Sequence, residues 1–181
     1  MKIKMLIKIF LLTNIVTSAI ACENESEGNI RISNTTKDCI NHLGSVFLSN
    51  VIVRNKVDVT GNLEGANVSL NGIFMEGRLL LNGRNNVAGN VDIVGELVSA
   101  NTNFSKKIKI NSYNIQLKNG TVTKDILVRK NDKGTTGTQY LYIDNSTVNG
   151  NITFESGKGR VILSNGGRYT GALIGGTFEN K

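Results

Sequence analysis

The stretch NVIVRNKVDVTGNLEGANVSLNGIFMEGRLLLNGRNNVAGNVDIVGEL, residues 50–97, decides the fold. Two markers recur in it. An Asn followed within a few residues by a β-branched or aromatic residue stands at Asn50, Asn67 and Asn85, and a Gly-x-Leu triplet begins at Gly61, Gly77 and Gly95. The first series steps by 17 and 18 residues and the second by 16 and 18, with an offset of 10 or 11 between them. That period is too short for helical repeats, which need more than about 30 residues, and for a propeller blade of about 40. It suits one coil of a β-solenoid, whose short strands are joined by tight turns at Asn and Gly.

Outward from this stretch the Asn series continues at Asn101, Asn119, Asn145 and Asn165, and the Gly series resumes at Gly150 and Gly171. Short β-branched runs lie between the markers, among them residues 68–70, 91–94, 107–110, 140–143 and 161–163. Alternation such as Lys107-Ile108-Lys109-Ile110 turns one face inward and the other to water. Helix signal is almost absent from residue 45 onward, and the chain has no proline, as continuous ladder bonding requires. The competing all-β architecture is a β-sandwich, which also gives turn signals every 8 to 12 residues or so. The doubled marker favours a short single-stranded parallel β-helix of about seven coils over residues 45–181, roughly 34 Å tall at about 4.8 Å per coil.

Two segments break the pattern. Residues 129–137 fall within the one long Asn step, of 26 residues, and read as a protruding polar loop. Residues 22–44 are expected to cap the first coil, with one or two helical turns over residues 36–43 stopped by Gly44.

The amino terminus carries Lys2, Lys4 and Lys8, an apolar run to Ile20, and Ala19-Ile20-Ala21, the layout of a signal peptide over residues 1–21. The run is too short for a transmembrane helix, which needs roughly 20 apolar residues, and no later segment approaches that length. Removing it takes away three of the 21 basic residues and none of the 14 acidic ones, lowering the formal charge from +7 to +4. Some 160 residues remain, enough for one domain. The only cysteines, Cys22 and Cys39, support two readings. One is a disulfide at the new amino terminus in an oxidising compartment; the other is Cys22 as the acylated first residue of a lipoprotein, although Ala19 replaces the usual Leu of that motif.

The segment NSTVNGNITFESGKGRVILS, residues 145–164, with TGALIGG at 170–176, resembles the repeats of small exported bacterial β-solenoid proteins. It is similar, more loosely, to bactofilin-type polymer-forming proteins and adhesin-type solenoids. The resemblance covers roughly residues 50–178 and rests on repeat grammar, so it implies a fold and no activity. Bactofilin-like proteins are cytoplasmic scaffolds, whereas this chain begins with an export signal.

No catalytic constellation, metal site or cofactor loop stands out. Alignment on the Gly marker stacks Asp58 two coils from Asp92 with Phe74 between, leaving the acids about 10 Å apart. A glycosidase pair wants about 5 to 9.5 Å. His42, the only histidine, is expected on the surface of the cap beside Asp38 and Cys39. The calcium-binding nonapeptide of some solenoids is missing, and Asp132 is a lone acid in a lysine-rich loop. Triplets such as Asn67-Val68-Ser69 and Asn145-Ser146-Thr147 arise from Asn-rich turns and imply no glycosylation.

Lys106, Lys107, Lys109, Lys118, Lys124, Arg129, Lys130 and Lys133 face only Asp125 and Asp132 in the same stretch. On adjacent coils they would form a basic face suited to an anionic polysaccharide or an envelope surface. With six Phe, four Tyr and no Trp, base-stacking recognition of nucleic acid is not expected. The expected function is non-enzymatic: an exported structural or adhesin-like binding protein. The alternatives are a scaffold that self-associates through its terminal coil at residues 172–178, and a polysaccharide-acting enzyme.

Overall fold

The computed structural model describes residue 22, residues 26–130 and residues 137–181; the proposed signal peptide lies outside them. Among the described residues nineteen strands form one sheet in which every pairing is parallel. The chain is a β-solenoid of nine coils: residues 26–37, 40–53, 57–70, 73–87, 91–104, 108–122, 126–148, 152–169 and 173–180, coils 1 to 9 below. Nine rungs span about 38 Å at roughly 4.8 Å each.

Each full coil has three walls. In coil 3, wall A runs to a corner at Gly61, wall B continues to Ala66, and wall C is Ser69–Leu70 after the turn at Asn67. Residues alternate inward and outward along every wall, and the inward ones stack in columns. Ile30, Val46, Leu63, Leu79, Leu97, Ile115, Leu141, Val161 and Phe178 form one such column along wall B. Seven of the nine are essentially inaccessible, so the core is a continuous apolar filling. Stacked parallel strands with β-branched interiors are what such burial selects.

Both markers are structural. Asn34, Asn50, Asn67, Asn101, Asn119, Asn145 and Asn165 have φ of 44–55°, the left-handed region that Asn tolerates. Their amides form a ladder: Asn50 donates to Asn34 at 3.0 Å, Asn67 to Asn50 at 3.3 Å and Asn145 to Asn119 at 2.9 Å. The A–B corner is a column of Gly28, Gly44, Gly61, Gly77 and Gly95 in register. A Cβ on any of the last four would overlap the carbonyl oxygen of the glycine one coil earlier.

Several expectations change. There are nine coils, because residues 26–44 belong to the solenoid. Ser26–Lys37 and Ile40–Val53 pair rung on rung through 11 residue pairs, so the expected helical turns at 36–43 are strand and the boundary at 44/45 falls inside one. The segment's alternation, as in Ile30-Arg31-Ile32, was outweighed in the sequence by its polar flanks. Asn85 is not a turn residue either. Coil 4 carries one extra residue at its B–C corner, where Gly83 (φ 80°) takes the turn. Asn85 instead points inward, 4% exposed, accepting from the Val68 amide and donating to the Asn82 and Gly83 carbonyls and Thr102 Oγ1. It satisfies the backbone that the extra residue displaces. Of the expected loop, Arg129, Lys130 and Gly137 are placed, and residues 131–136 lie outside the described set.

Cys22 and Cys39 are joined by a disulfide, which commits the thiol that lipid attachment at Cys22 would need. Such a bond fits an oxidising, exported compartment. Among the described residues no helix is long and apolar enough to cross a membrane.

Gly77→Ala is expected to lower stability by about 3 kcal/mol or more, because the stacked backbone must part. Gly157→Ala, whose Cβ would meet nothing within 4 Å at φ 68°, should cost about 1 kcal/mol. Denaturant midpoints of the two variants check the difference.

Candidate functional site

The lysines converge at the corner where wall C turns back into wall A. Phe104 pairs with Val122 and Ile108 with Ile126, so the three-residue turns 105–107 and 123–125 stack on each other. The turns are pinned by backbone bonds: Ser105 N–H donates to Val87, Thr123 to Phe104, Val91 to Lys107 and Ile108 to Asp125. Lys106 therefore lies one rung, about 4.8 Å, from Lys124. Lys107 sits beside Lys106, and Lys109 stands outward on wall A two residues later. Gly89 and Gly150 occupy the equivalent places in the turns on either side, and a Cβ at either would collide with neighbouring backbone. The lysines thus form a ridge between two positions that cannot carry side chains.

Within the described residues, none of Lys106, Lys107, Lys109 and Lys124 has an ion-pair partner, and Asp125 turns its carboxylate to the Asn151 amide at 2.9 Å. The remaining expected site residues are elsewhere or occupied. Lys118 is on wall B, 3.8 Å from Asp144. Arg129 reaches from coil 7 back to coil 5, where its guanidinium pairs with Asp92 and donates to the Ile93 carbonyl at 3.2 Å. It acts as a strut between coils. Lys130 is exposed past the end of wall A, with its amide on Glu155 Oε2 at 3.1 Å. Lys133 lies outside the described residues. The broad basic face of the sequence reading contracts to a four-lysine corner.

The acidic pair has the expected register, with Asp58 beside Phe74 and Phe74 beside Asp92. The carboxylates are two rungs apart, and each has a cation: Lys56 at 2.6 Å for Asp58 and Arg129 for Asp92. His42 is a correction. It is 1% exposed, in the same inward column as Val59, bonded through Nδ1 to Ser26 Oγ and through Nε2 to the Gly28 carbonyl, both at 2.8 Å. It is a satisfied core residue that fastens coil 1. Among the described residues no three His, Cys, Asp or Glu side chains are grouped to hold a metal.

Sequence reasoning missed the outward middle column of wall B, which runs Arg31, Phe47, Glu64, Leu80, Val98, Gln116, Tyr142, Ile162 and Glu179. Its signal was present: Phe47, Glu64, Leu80 and Val98 each stand three residues after a corner glycine. No protein-family model, curated protein or solved structure matches the chain.

The Arg129–Asp92 pair is about a third exposed on each side, whereas Lys56 and Asp58 are 46% and 40% exposed. Asp92→Ala is expected to cost roughly 1–2 kcal/mol, since it leaves a half-buried guanidinium without its acceptor. Asp58→Ala should change stability by less than about 0.5 kcal/mol. Thermal melts of both variants test this ordering.

Proposed function

We propose that this protein is an exported, non-enzymatic binding protein of the periplasm or cell surface, adhesin-like, which holds a basic corner toward an anionic polysaccharide of its surroundings. The observation that carries the reading is the pairing of Lys106 and Lys124 on adjacent rungs, with Lys107 and Lys109 beside them and no ion-pair partner among the described residues. A polyanion exchanges weakly held counterions for these ammonium groups, and a solenoid holds their spacing without an ordering cost at binding. Lysine, a compact and strongly hydrated charge, suits sulfate or carboxylate groups of a mobile chain. The enzymatic alternative is disfavoured because both outward acids are already neutralised and lie about 10 Å apart.

The test is retention on an immobilised anionic polysaccharide, polygalacturonate or heparin, at two ionic strengths. Binding should weaken as salt rises, and Lys106→Glu with Lys124→Glu should reduce affinity at least tenfold, while Lys118→Glu on the other wall changes it less than twofold. Equal loss in both variants would place the binding surface elsewhere.

Self-assembly is favoured by a separate observation. Phe178 occupies the inward column over Val161 yet is 55% exposed, because no described strand lies beyond Gly176–Asn180. An uncovered interior at an unpaired strand edge invites addition of another coil. Association by this route would be open-ended and concentration-dependent in sedimentation velocity, and Phe178→Glu would abolish it.

A further inference from the structure

Wall B carries apolar side chains on its outside as well as its inside. Phe47, Leu80, Val98 and Tyr142 are half-buried in the middle outward column, and Tyr140 lies beside Tyr142 with ring centroids 6.2 Å apart. Ile162 completes the column but is already covered, 4% exposed and outside the interior cluster. Charged residues close both ends: Arg31 in coil 1, over the Phe47 ring, and Glu179 in coil 9, which also lies 3.8 Å from Arg160 and 3.6 Å from Lys181.

The order of this column is self-complementary when reversed. A two-fold axis parallel to the strands and passing by coil 5 brings coil 1 of one copy opposite coil 9 of another, coil 2 opposite coil 8, and so on. Arg31 then meets Glu179, Phe47 meets Ile162, Leu80 meets the stem of Gln116, and Val98 meets Val98. Coil 3 faces coil 7. In coil 3 the wall is indented: a shallow depression of about 360 Å³ lies around Glu64, Gly65 and Ala66, between Phe47 and Leu80. Opposite its Glu64 side stands Tyr142 of the same middle column, so one of the bulkiest outward side chains of the wall faces its hollow, while Tyr140 lies one column aside, opposite Asn62. The dyad also juxtaposes two Glu96 side chains, each neutralised by its own Arg78 at 3.0 Å.

We infer that wall B is the interface of an antiparallel, face-to-face homodimer of this protein. The alternative face-to-face packing, with the solenoid axes parallel, sets Arg31 on Arg31 and Glu64 on Glu64, neither of which has an ion-pair partner among the described residues, and like charges at close range disfavour it. The area is sufficient. A wall about 38 Å long and five to six residues wide covers roughly 700 Å² per copy, or about 1,400 Å² in total, within the range of stable specific interfaces. Sheets packed in this way interdigitate their facing side chains about 10 Å apart, as the hollow and Tyr142 would. The basic corner lies between walls C and A and stays free in the dimer.

The experiment is sedimentation equilibrium of the purified protein from micromolar concentration upward. The expected limit is a dimer. Val98→Lys should raise the dissociation constant at least tenfold, and Tyr142→Lys should do the same should the first variant melt early. Arg31→Glu and Glu179→Arg should each weaken the dimer several-fold, and the two together should restore it. Phe178→Glu, at the coil end, and Asn86→Lys, on wall C, should leave it unchanged. A wild-type monomer at hundreds of micromolar overturns the inference. So does association that survives Val98→Lys and Tyr142→Lys but is lost in Phe178→Glu, which assigns it to the coil end.

Discussion

The structure depends on backbone lying directly on backbone. Parallel strands stack rung on rung for nine coils, and at the A–B corner the chain turns so tightly that a carbonyl oxygen occupies the place of a side chain. Only glycine leaves that place empty, and at φ near 130° only glycine adopts the turn without strain. The B–C corner needs a left-handed residue at each level, which is Asn except for Gly83 in coil 4, and the amides of Asn50, Asn67 and Asn145 bond to the Asn of the coil before. Everything else follows from these two corners. They set the coil length, the coil length sets which residues stack, and stacking fills the interior with columns of Val, Ile and Leu.

The same constraint governs where function can reside. A solenoid has no cleft of its own, so chemistry must come from side chains that the register happens to align on the outside. Here the register separates charges more than it gathers them. Asp58 and Asp92 are divided by Phe74, and Arg129 is spent bridging two coils. The exceptions are the turn between walls C and A, where two three-residue loops of equal length bring lysines to adjacent rungs, and the outside of wall B, where apolar residues form a row. One surface is a lysine corner and the other carries an interrupted apolar row between polar columns, and they lie on different sides of the triangle. A protein built this way can associate through one and remain accessible through the other.

Departures from regularity are repaired locally. Coil 4 has one residue too many at its B–C corner, and the displaced amide and carbonyls are taken up by the inward amide of Asn85. Coil 1 is fastened by His42, whose two ring nitrogens both find partners inside the stack, and by the Cys22–Cys39 disulfide. Asn85 and His42 persist in this core because each is bonded. They are repairs of the backbone, which is why their residue types suggested surface or turn positions when read without the fold.

The sequence by itself determined the all-β class, the solenoid, the turn chemistry and the Asp58–Phe74–Asp92 stacking. Those rest on local conformational preference and on one period, and both are written along the chain. It left the coil count short by two although Ser26–Lys37 carries both markers, at Gly28 and Asn34, because its polar residues, exposed at the edge of the stack, read as an irregular cap. It spread the basic face over residues that the register sends to different walls, such as Lys118, and it placed His42 outside when the register sends it inside. Those outcomes belong to the tertiary structure alone. Which residues of different coils become neighbours depends on the exact residue count of every intervening corner, and a residue added at one corner, as beside Gly83, is absorbed there while it changes the step at which the chain must be counted.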